Sequence, residues 1–176
     1  MFFLYEHYYQ GFTLSPRQVF RFLDQLLNDE RLRARFGPVD VSIMSSREQI
    51  DLVLDINVLK RIMIVIQRPN ADDFGDLEQE IEERMNNQHA RKLQIGYESI
   101  PGQSLAPDEQ TRNEATVASR NGEVIAYGKN AEGVAESRST ADHPVVQSEK
   151  YDPDLMSEQG AFVRVARTLL GRIQQG

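Results

Sequence analysis

The stretch RIMIVIQ, residues 61–67, is apolar at both alternating positions, and this constrains the fold more than any other part of the chain. A strand that is apolar on both sides is typical of a sheet interior that is covered on both faces. Pro69 has no N–H to donate to a strand ladder, so the strand has to end before it. The sequence therefore predicts a sheet built around residues 61–67.

Periodic patterns predict the elements around this strand. Alternation of apolar and polar residues predicts strands, whereas apolar residues every three or four positions behind a capping residue predict helices. The predicted strands are 2–9, 39–44, 91–99, a hairpin of 123–129 with 133–139, and an edge strand over 143–151. The predicted helices are 16–36, a short one capped by Ser45, one beginning at Asp76, one over 108–120 and one over 162–173.

The order of these elements predicts an α+β protein. We expect a mixed β-sheet with helices packed on its faces, and a β-hairpin followed by a helix toward the C-terminal end. The chain has 176 residues, of which 40% are hydrophobic, and this is enough for one core of ordinary size. No stretch has the composition of a linker, so we predict a single domain over residues 1–176.

The residue inventory excludes several classes of protein. Cysteine is absent, which excludes disulfides, thiolate metal sites and cysteine nucleophiles. The longest apolar run, residues 62–66, is far shorter than the roughly 20 residues of a membrane span. The opening MFFLYEHYY lacks the basic region and cleavage site of a signal peptide. These features predict a cytoplasmic protein that does not enter a membrane.

Three aspartates, Asp72, Asp73 and Asp76, follow the interior strand. Acidic residues at a helix N-terminus accept hydrogen bonds from unpaired backbone N–H groups and meet the positive end of the helix dipole. Helix initiation alone thus explains Asp73 and Asp76. The alternative is a divalent-metal site in which Asp72 and Asp73 join a distant carboxylate, as a nuclease or phosphotransfer enzyme requires. We favour helix initiation, and so predict no cofactor and no catalytic residue.

Motifs of common enzymes are missing from the sequence. The histidines at 7, 89 and 143 are isolated, without a spacing that places two imidazoles on one helical face. Residues 122–130, GEVIAYGKN, depart from a phosphate-binding loop in spacing and carry asparagine where the magnesium-binding hydroxyl belongs. No nucleophile elbow and no dinucleotide fingerprint occurs. These absences favour a protein without catalytic activity.

Arginines are concentrated in the first part of an acidic chain. The net charge is −7, yet residues 1–68 hold nine Lys/Arg against eight Asp/Glu. Guanidinium groups bind phosphate or carboxylate through two parallel hydrogen bonds, so the first predicted helix is our candidate surface for a protein partner or nucleic acid. Its residues are Arg17, Arg21, Arg31, Arg33 and Arg35. The alternative is a solvated helix face with internal ion pairs.

The helix beginning at Asp76 has the opposite charge. It carries Glu78, Glu80, Glu82 and Glu83, and could meet the arginines of another copy of the chain. Self-association is therefore a second expectation for the same surface.

The segments RIMIVIQRPNADD, NGEVIAYG, SRSTADHP and YDPD carry a family resemblance over about residues 60–154. The sequence resembles uncharacterised bacterial and prophage proteins known only as a domain of unknown function. It is also similar to the phage exclusion protein Rex A in its order of strand, helix, strand and loop. The resemblance implies a setting of phage defence and mobile elements and assigns no catalytic residue. The resemblance to Rex-like proteins implies DNA binding without marked sequence choice. This chain is acidic and so departs from the charge that such binding requires.

These inferences combine into one functional hypothesis. We expect a non-catalytic cytoplasmic interaction protein of phage-defence or mobile-element type. It would bind a protein partner or itself, with nucleic acid as a further partner of the arginine-rich helix. The alternative is the metal-dependent nuclease or phosphotransfer enzyme that uses the aspartate cluster.

Overall fold

The computed structural model describes residues 3–9, 11–68 and 76–175. The chain divides into two compact units, one formed by residues 1–15 and 145–176 and the other by residues 16–144.

The described elements, in chain order, have the following bounds. The helices are α1 Pro16–Leu27, α2 Glu30–Phe36, α3 Arg47–Leu54, α4 Asp76–Asn87, α5 Glu109–Asn121 and α6 Glu158–Gln175. The strands are β1 Tyr8–Tyr9, β2 Phe12–Thr13, β3 Val58–Gln67, β4 Lys92–Glu98, β5 Gly122–Lys129 and β6 Ala135–Ser139, and Thr140–Asp142 form a short 3-10 helix.

The main sheet confirms the α+β class and corrects the pairing that we expected. Its strand order is β4-β3-β5-β6, with β3 in the interior. Every neighbouring pair in it is antiparallel, so the expectation of a mixed sheet is wrong. The physical reason is the position of β3, which lies between β4 and β5 and separates the two strands that run in the same direction.

The helices that share the core with the sheet lie on one of its faces. Alternate residues of β3, β4 and β5 pair across the strands and point toward α3, α4 and α5. These residues are Ile62, Ile64, Ile66, Leu93, Ile95, Tyr97, Val124 and Ala126. The side chains of Ile64, Ile66, Val124 and Ala126 are fully buried. We call this side the helix-covered face and the opposite side the second face.

Helix α5 packs against the sheet more closely than its polar sequence suggested. Its buried residues are Thr111, Glu114, Ala115, Val117, Ala118 and Ser119. Asp108 caps its N-terminus and accepts from the backbone N–H and the hydroxyl of Thr111, at 2.8 and 2.7 Å. These two hydrogen bonds lower the pKa of Asp108. Gly122 follows the helix with an extended φ of 173°, and β5 begins there directly.

Several predicted elements have the positions that the sequence indicates. The structure contains the interior strand, the helix from Asp76, the strand predicted over 91–99, the hairpin and the last helix. The hairpin turn contains Gly133 with φ 78°, and the Asn130 carboxamide oxygen accepts from the backbone N–H groups of Glu132 and Val134.

Other predicted elements are absent or different. Neither 39–44 nor 143–151 forms a strand, and only a single bridge pairs Ser45 with Pro144. Helix α3 has Ser46 as its capping residue, not Ser45, whose hydroxyl instead donates to the carbonyl of His143 at 2.7 Å. Val39, Val41 and Ile43 are only half-buried and Val146 is 69% exposed, so neither segment is held in the core as a strand.

The unit formed by the chain ends contains little regular structure besides α6. Strands β1 and β2 pair over two residues each, a far shorter element than the predicted strand 2–9. Within the same unit, Arg164 of α6 pairs with Glu149 at 2.7 Å and Arg172 donates to the Gln147 side chain at 2.8 Å.

Candidate functional site

The predicted helix 16–36 is two helices, and the break creates a projecting segment. Helix α1 ends at Leu27, and Asp29 has extended backbone angles, φ −52° and ψ 144°. The side chain of Asn28 donates to the Val39 carbonyl at 2.9 Å and accepts from the Val39 N–H at 3.0 Å. One amide therefore joins both ends of residues 28–39, which we call the α2 arm.

Local interactions hold α2 in its helical form. The Asp29 carboxylate accepts from the Arg31 N–H at 3.0 Å, and Glu30 occupies the first turn. At the other end Gly37 has φ 79°, and its N–H donates to the Arg33 carbonyl at 2.9 Å. A seven-residue helix is too short to be stable alone in water, so these caps and the Asn28 bridge are what define it.

The α2 arm buries none of its helical residues. Leu32 is 36% exposed and Phe36 is 67% exposed, and their four-residue spacing places them on one side of the helix. Arg31 and Arg35 border this stripe on one side and Arg33 borders it on the other. The result is an exposed apolar stripe flanked by cations.

The three arginines of the arm are directed to solvent. Among the residues that the structure describes, no salt bridge joins Arg31, Arg33 or Arg35 to a carboxylate. The Arg35 guanidinium lies 5.1 Å from the centre of the Phe36 ring, within cation–π range. Helix α2 is thus a fully exposed face, as the alternative of a solvated helix also expects, and the choice between the two interpretations stays a prediction.

The other two arginines of the predicted surface are placed differently. Arg17 forms a two-pronged ion pair with Asp142, at 2.5 and 3.0 Å, which ties α1 to the 3-10 helix and raises the pKa of Arg17. Arg21 is exposed on α1, next to Phe22, which is 62% exposed. The structure thus assigns Arg17 a structural contact and leaves Arg31, Arg33 and Arg35 together on the arm.

The aspartate cluster gives less information. Asp72 and Asp73 lie outside the described residues, and α4 begins at Asp76. Within the described part of the chain, no group of three or more Asp, Glu or His side chains is arranged to hold a metal ion. Glu78 of the acidic helix is mostly buried and faces Arg120 at 3.8 Å, so it is not available to a neighbouring subunit.

Sequence reasoning missed the feature that separates the arm from α1. Asn28-Asp29 is a pair that favours chain breaks and caps, and this signal was available in the sequence. The continuous apolar spacing around it concealed the break. The bridge from Asn28 to Val39 depends on a contact between distant residues, for which the sequence offers no pattern.

Comparisons with known proteins give a family but no activity. In the described ranges, no helix is both long and apolar enough to cross a membrane. No curated protein and no solved structure matches the chain. A family model described as a domain of unknown function, DUF4747, matches residues 2–167. Because this match covers most of the chain, the protein belongs to the DUF4747 family.

Proposed function

We propose that this protein is a non-catalytic interaction module that binds an acidic partner protein through the α2 arm. The observation that carries the proposal is a capped helix that buries nothing while it exposes Leu32, Phe36 and three arginines. Apolar and aromatic anchors beside arginine are the residues that dominate binding energy at protein interfaces.

Charge favours a partner with carboxylates. The arm carries Arg31, Arg33 and Arg35 against Asp29 and Glu30, and Asp29 is already engaged as the helix cap. Arginine guanidinium groups bind carboxylates through paired hydrogen bonds. The apolar stripe between the arginines adds apolar surface that is removed from water when the partner binds. A helix that is already formed also loses little conformational entropy when it binds.

Replacing Arg31, Arg33 and Arg35 together by alanine is expected to weaken partner binding by about tenfold or more and to leave folding intact. The side chains are exposed, and surface substitutions of this kind change stability by less than about 0.5 kcal/mol each. The measurement is quantitative affinity capture from the host, with nuclease-treated lysate, and circular dichroism for the fold.

Helix α6 provides a control with the same change of charge. Arg164, Arg167 and Arg172 are also exposed arginines on one helix, and two of them contact Glu149 and Gln147, so circular dichroism has to confirm the fold of this variant too. With the fold intact, their replacement by alanine should leave the captured partner unchanged. Loss of the partner from both triple variants would mean that net charge alone is responsible and would reject the arm as the site. If capture is lost after nuclease treatment, the partner is a nucleic acid and not an acidic protein. If the purified protein dimerises through the arm, the partner is a second copy of the chain.

The setting forms a further part of this proposal. The resemblance to prophage proteins and to Rex A supports a cytoplasmic role in phage defence or mobile elements. We expect cells that express the protein to show a reduced efficiency of phage plating, and the triple arginine variant to lose the effect. Equal plating with and without the protein, over a panel of phages, would reject this setting.

A further inference from the structure

We infer that the second face of the sheet binds single-stranded nucleic acid, with Tyr127 as the ring on which a base stacks. This inference goes beyond the proposed partner protein and concerns residues that the α2 arm does not contain. It follows from strand register, exposure and charge on β3, β4 and β5.

Strand register assigns Tyr127 to the second face. Tyr127 pairs with Arg61, and the next residues along the two strands, Ala126 and Ile62, pair on the helix-covered face. Tyr127 is 38% exposed, whereas Ala126 is fully buried. The phenol ring therefore lies on the side of the sheet opposite to α3, α4 and α5.

A cation lies beside this ring, and the second face is open farther across the sheet. The Arg61 guanidinium lies 5.9 Å from the ring centre, and the Arg61 side chain is 52% exposed. In the next row of the sheet, Met63 pairs with Gly96 on one side and Ile125 on the other. A methyl group built on Gly96 would meet no atom within 4 Å, so the second face is open at this position of β4, two strands from the ring.

The charge of this face favours an anionic ligand although the whole chain is acidic. Exposed Lys92 and Lys129 lie on the same side as Arg61, because each is an even number of paired positions away along its strand. The opposing carboxylates are Glu98 and Glu123. Glu123 accepts from the Ser139 hydroxyl at 2.6 Å, while Glu98 is 3.9 Å from Arg61 and 78% exposed.

The ion pair between Arg61 and Glu98 is a weak competitor for a phosphate. Exposed pairs of this length contribute about 0–1 kcal/mol, so a phosphate can take the place of Glu98. An exposed aromatic ring, a neighbouring arginine and further cations along the same face, Lys129 two residues away and Lys92 at the far end of β4, are features with which proteins hold single strands without strong sequence choice. Duplex DNA keeps its bases stacked inside, so it offers Tyr127 no base to stack.

The test uses labelled oligothymidylate and oligouridylate of about 12 nucleotides, within the range of known single-strand sites. Fluorescence anisotropy is measured with purified protein up to about 0.1 mM, the weak limit of non-specific binding. Tyr127→Leu is expected to weaken binding by about 5- to 100-fold, the loss that removal of one stacking ring produces. The deoxy and ribo probes distinguish DNA from RNA as the natural ligand.

Two matched controls separate stacking from other causes. Tyr151 is 39% exposed and lies outside the sheet, so Tyr151→Leu should leave affinity unchanged. The alanine triple at Arg31, Arg33 and Arg35 should also bind the oligonucleotides normally, which makes this test independent of the proposed partner protein.

A spectroscopic measurement reports the stack directly. The chain contains no tryptophan, so Tyr127→Trp introduces a single indole on the second face. If a base stacks on the indole, the indole fluorescence should be quenched as oligonucleotide is added. If residue 127 only supports Arg61, the fluorescence should not change. The inference is wrong if neither probe binds, if Tyr127→Leu binds as well as the unmodified protein, if the indole signal does not change, or if the α2 triple loses oligonucleotide binding.

Discussion

Replacing Ile64 by alanine is expected to lower the free energy of unfolding by about 2–5 kcal/mol. Ile64 is fully buried in the interior strand β3 and pairs with Ile95 on one side and Val124 on the other. Truncation removes three carbons from the point where the sheet meets its helices, and neighbours held by the ladder cannot move in to fill the cavity. Since domains of this size are stable by about 5–15 kcal/mol, the loss is a large part of the total.

Urea unfolding followed by circular dichroism measures this loss. The conservative variant Ile64→Val should lose only about 0.5–1.5 kcal/mol, because it removes one methyl group. The slope of the unfolding free energy against urea concentration should be the same for both variants and the unmodified protein. An equal slope would show that the substitutions change stability and not the compactness of the folded or unfolded state. A loss below about 1 kcal/mol for Ile64→Ala would mean that β3 is not the centre of the core.

Replacing Gly122 by alanine should be nearly as damaging, although it adds only one methyl group. A Cβ at this position would lie 1.8 Å from the carbonyl oxygen of Val65 and 2.9 Å from its carbonyl carbon. These are backbone atoms of the neighbouring strand, so β5 has to shift away from β3 to make room. We expect a loss of about 1–3 kcal/mol or more, measured by the same unfolding experiment.

Gly96→Ala is the matched control, since Gly96 is also a strand glycine in the same sheet. Its added methyl group meets no atom within 4 Å, and the residue has no positive φ. We expect no loss and a gain of up to about 1 kcal/mol from the reduced freedom of the unfolded chain. Equal losses from the two substitutions would show that strand glycines matter for flexibility and not for the close approach at Gly122.

The sequence predicted those elements whose signals are local. An apolar run predicted strand β3, a capping residue predicted the helix from Asp76, and turn residues predicted the hairpin around Gly133. Each of these signals acts within a few positions of the chain. The strand predicted from apolar alternation at 39–44 is absent, and so is the edge strand predicted over 143–151. In 39–44 the alternating apolar residues are half-buried without a neighbouring strand, because a partner strand is a contact between distant residues that local alternation does not specify.

The candidate sites were predictable only in part. The arginines were recognised, because charge can be read from composition, but Arg17 turned out to bind Asp142, a residue 125 positions away. The separation of Arg31, Arg33 and Arg35 from α1 depends on the bridge between Asn28 and Val39. Tyr127 was assigned to the hairpin, yet its place beside Arg61 required the strand order, which no local pattern determines.

The hydrogen bonds between Asn28 and Val39 close the α2 arm at its base, and this affects how the arm can change in evolution. Because residues 28 and 39 meet at one side chain, the segment between them leaves and re-enters the unit at a single point. Doubling the length of such a loop costs only about 0.6 kcal/mol of closure entropy. Recombination or insertion between these two positions can therefore change the sequence and length of the arm while the sheet is inherited unchanged.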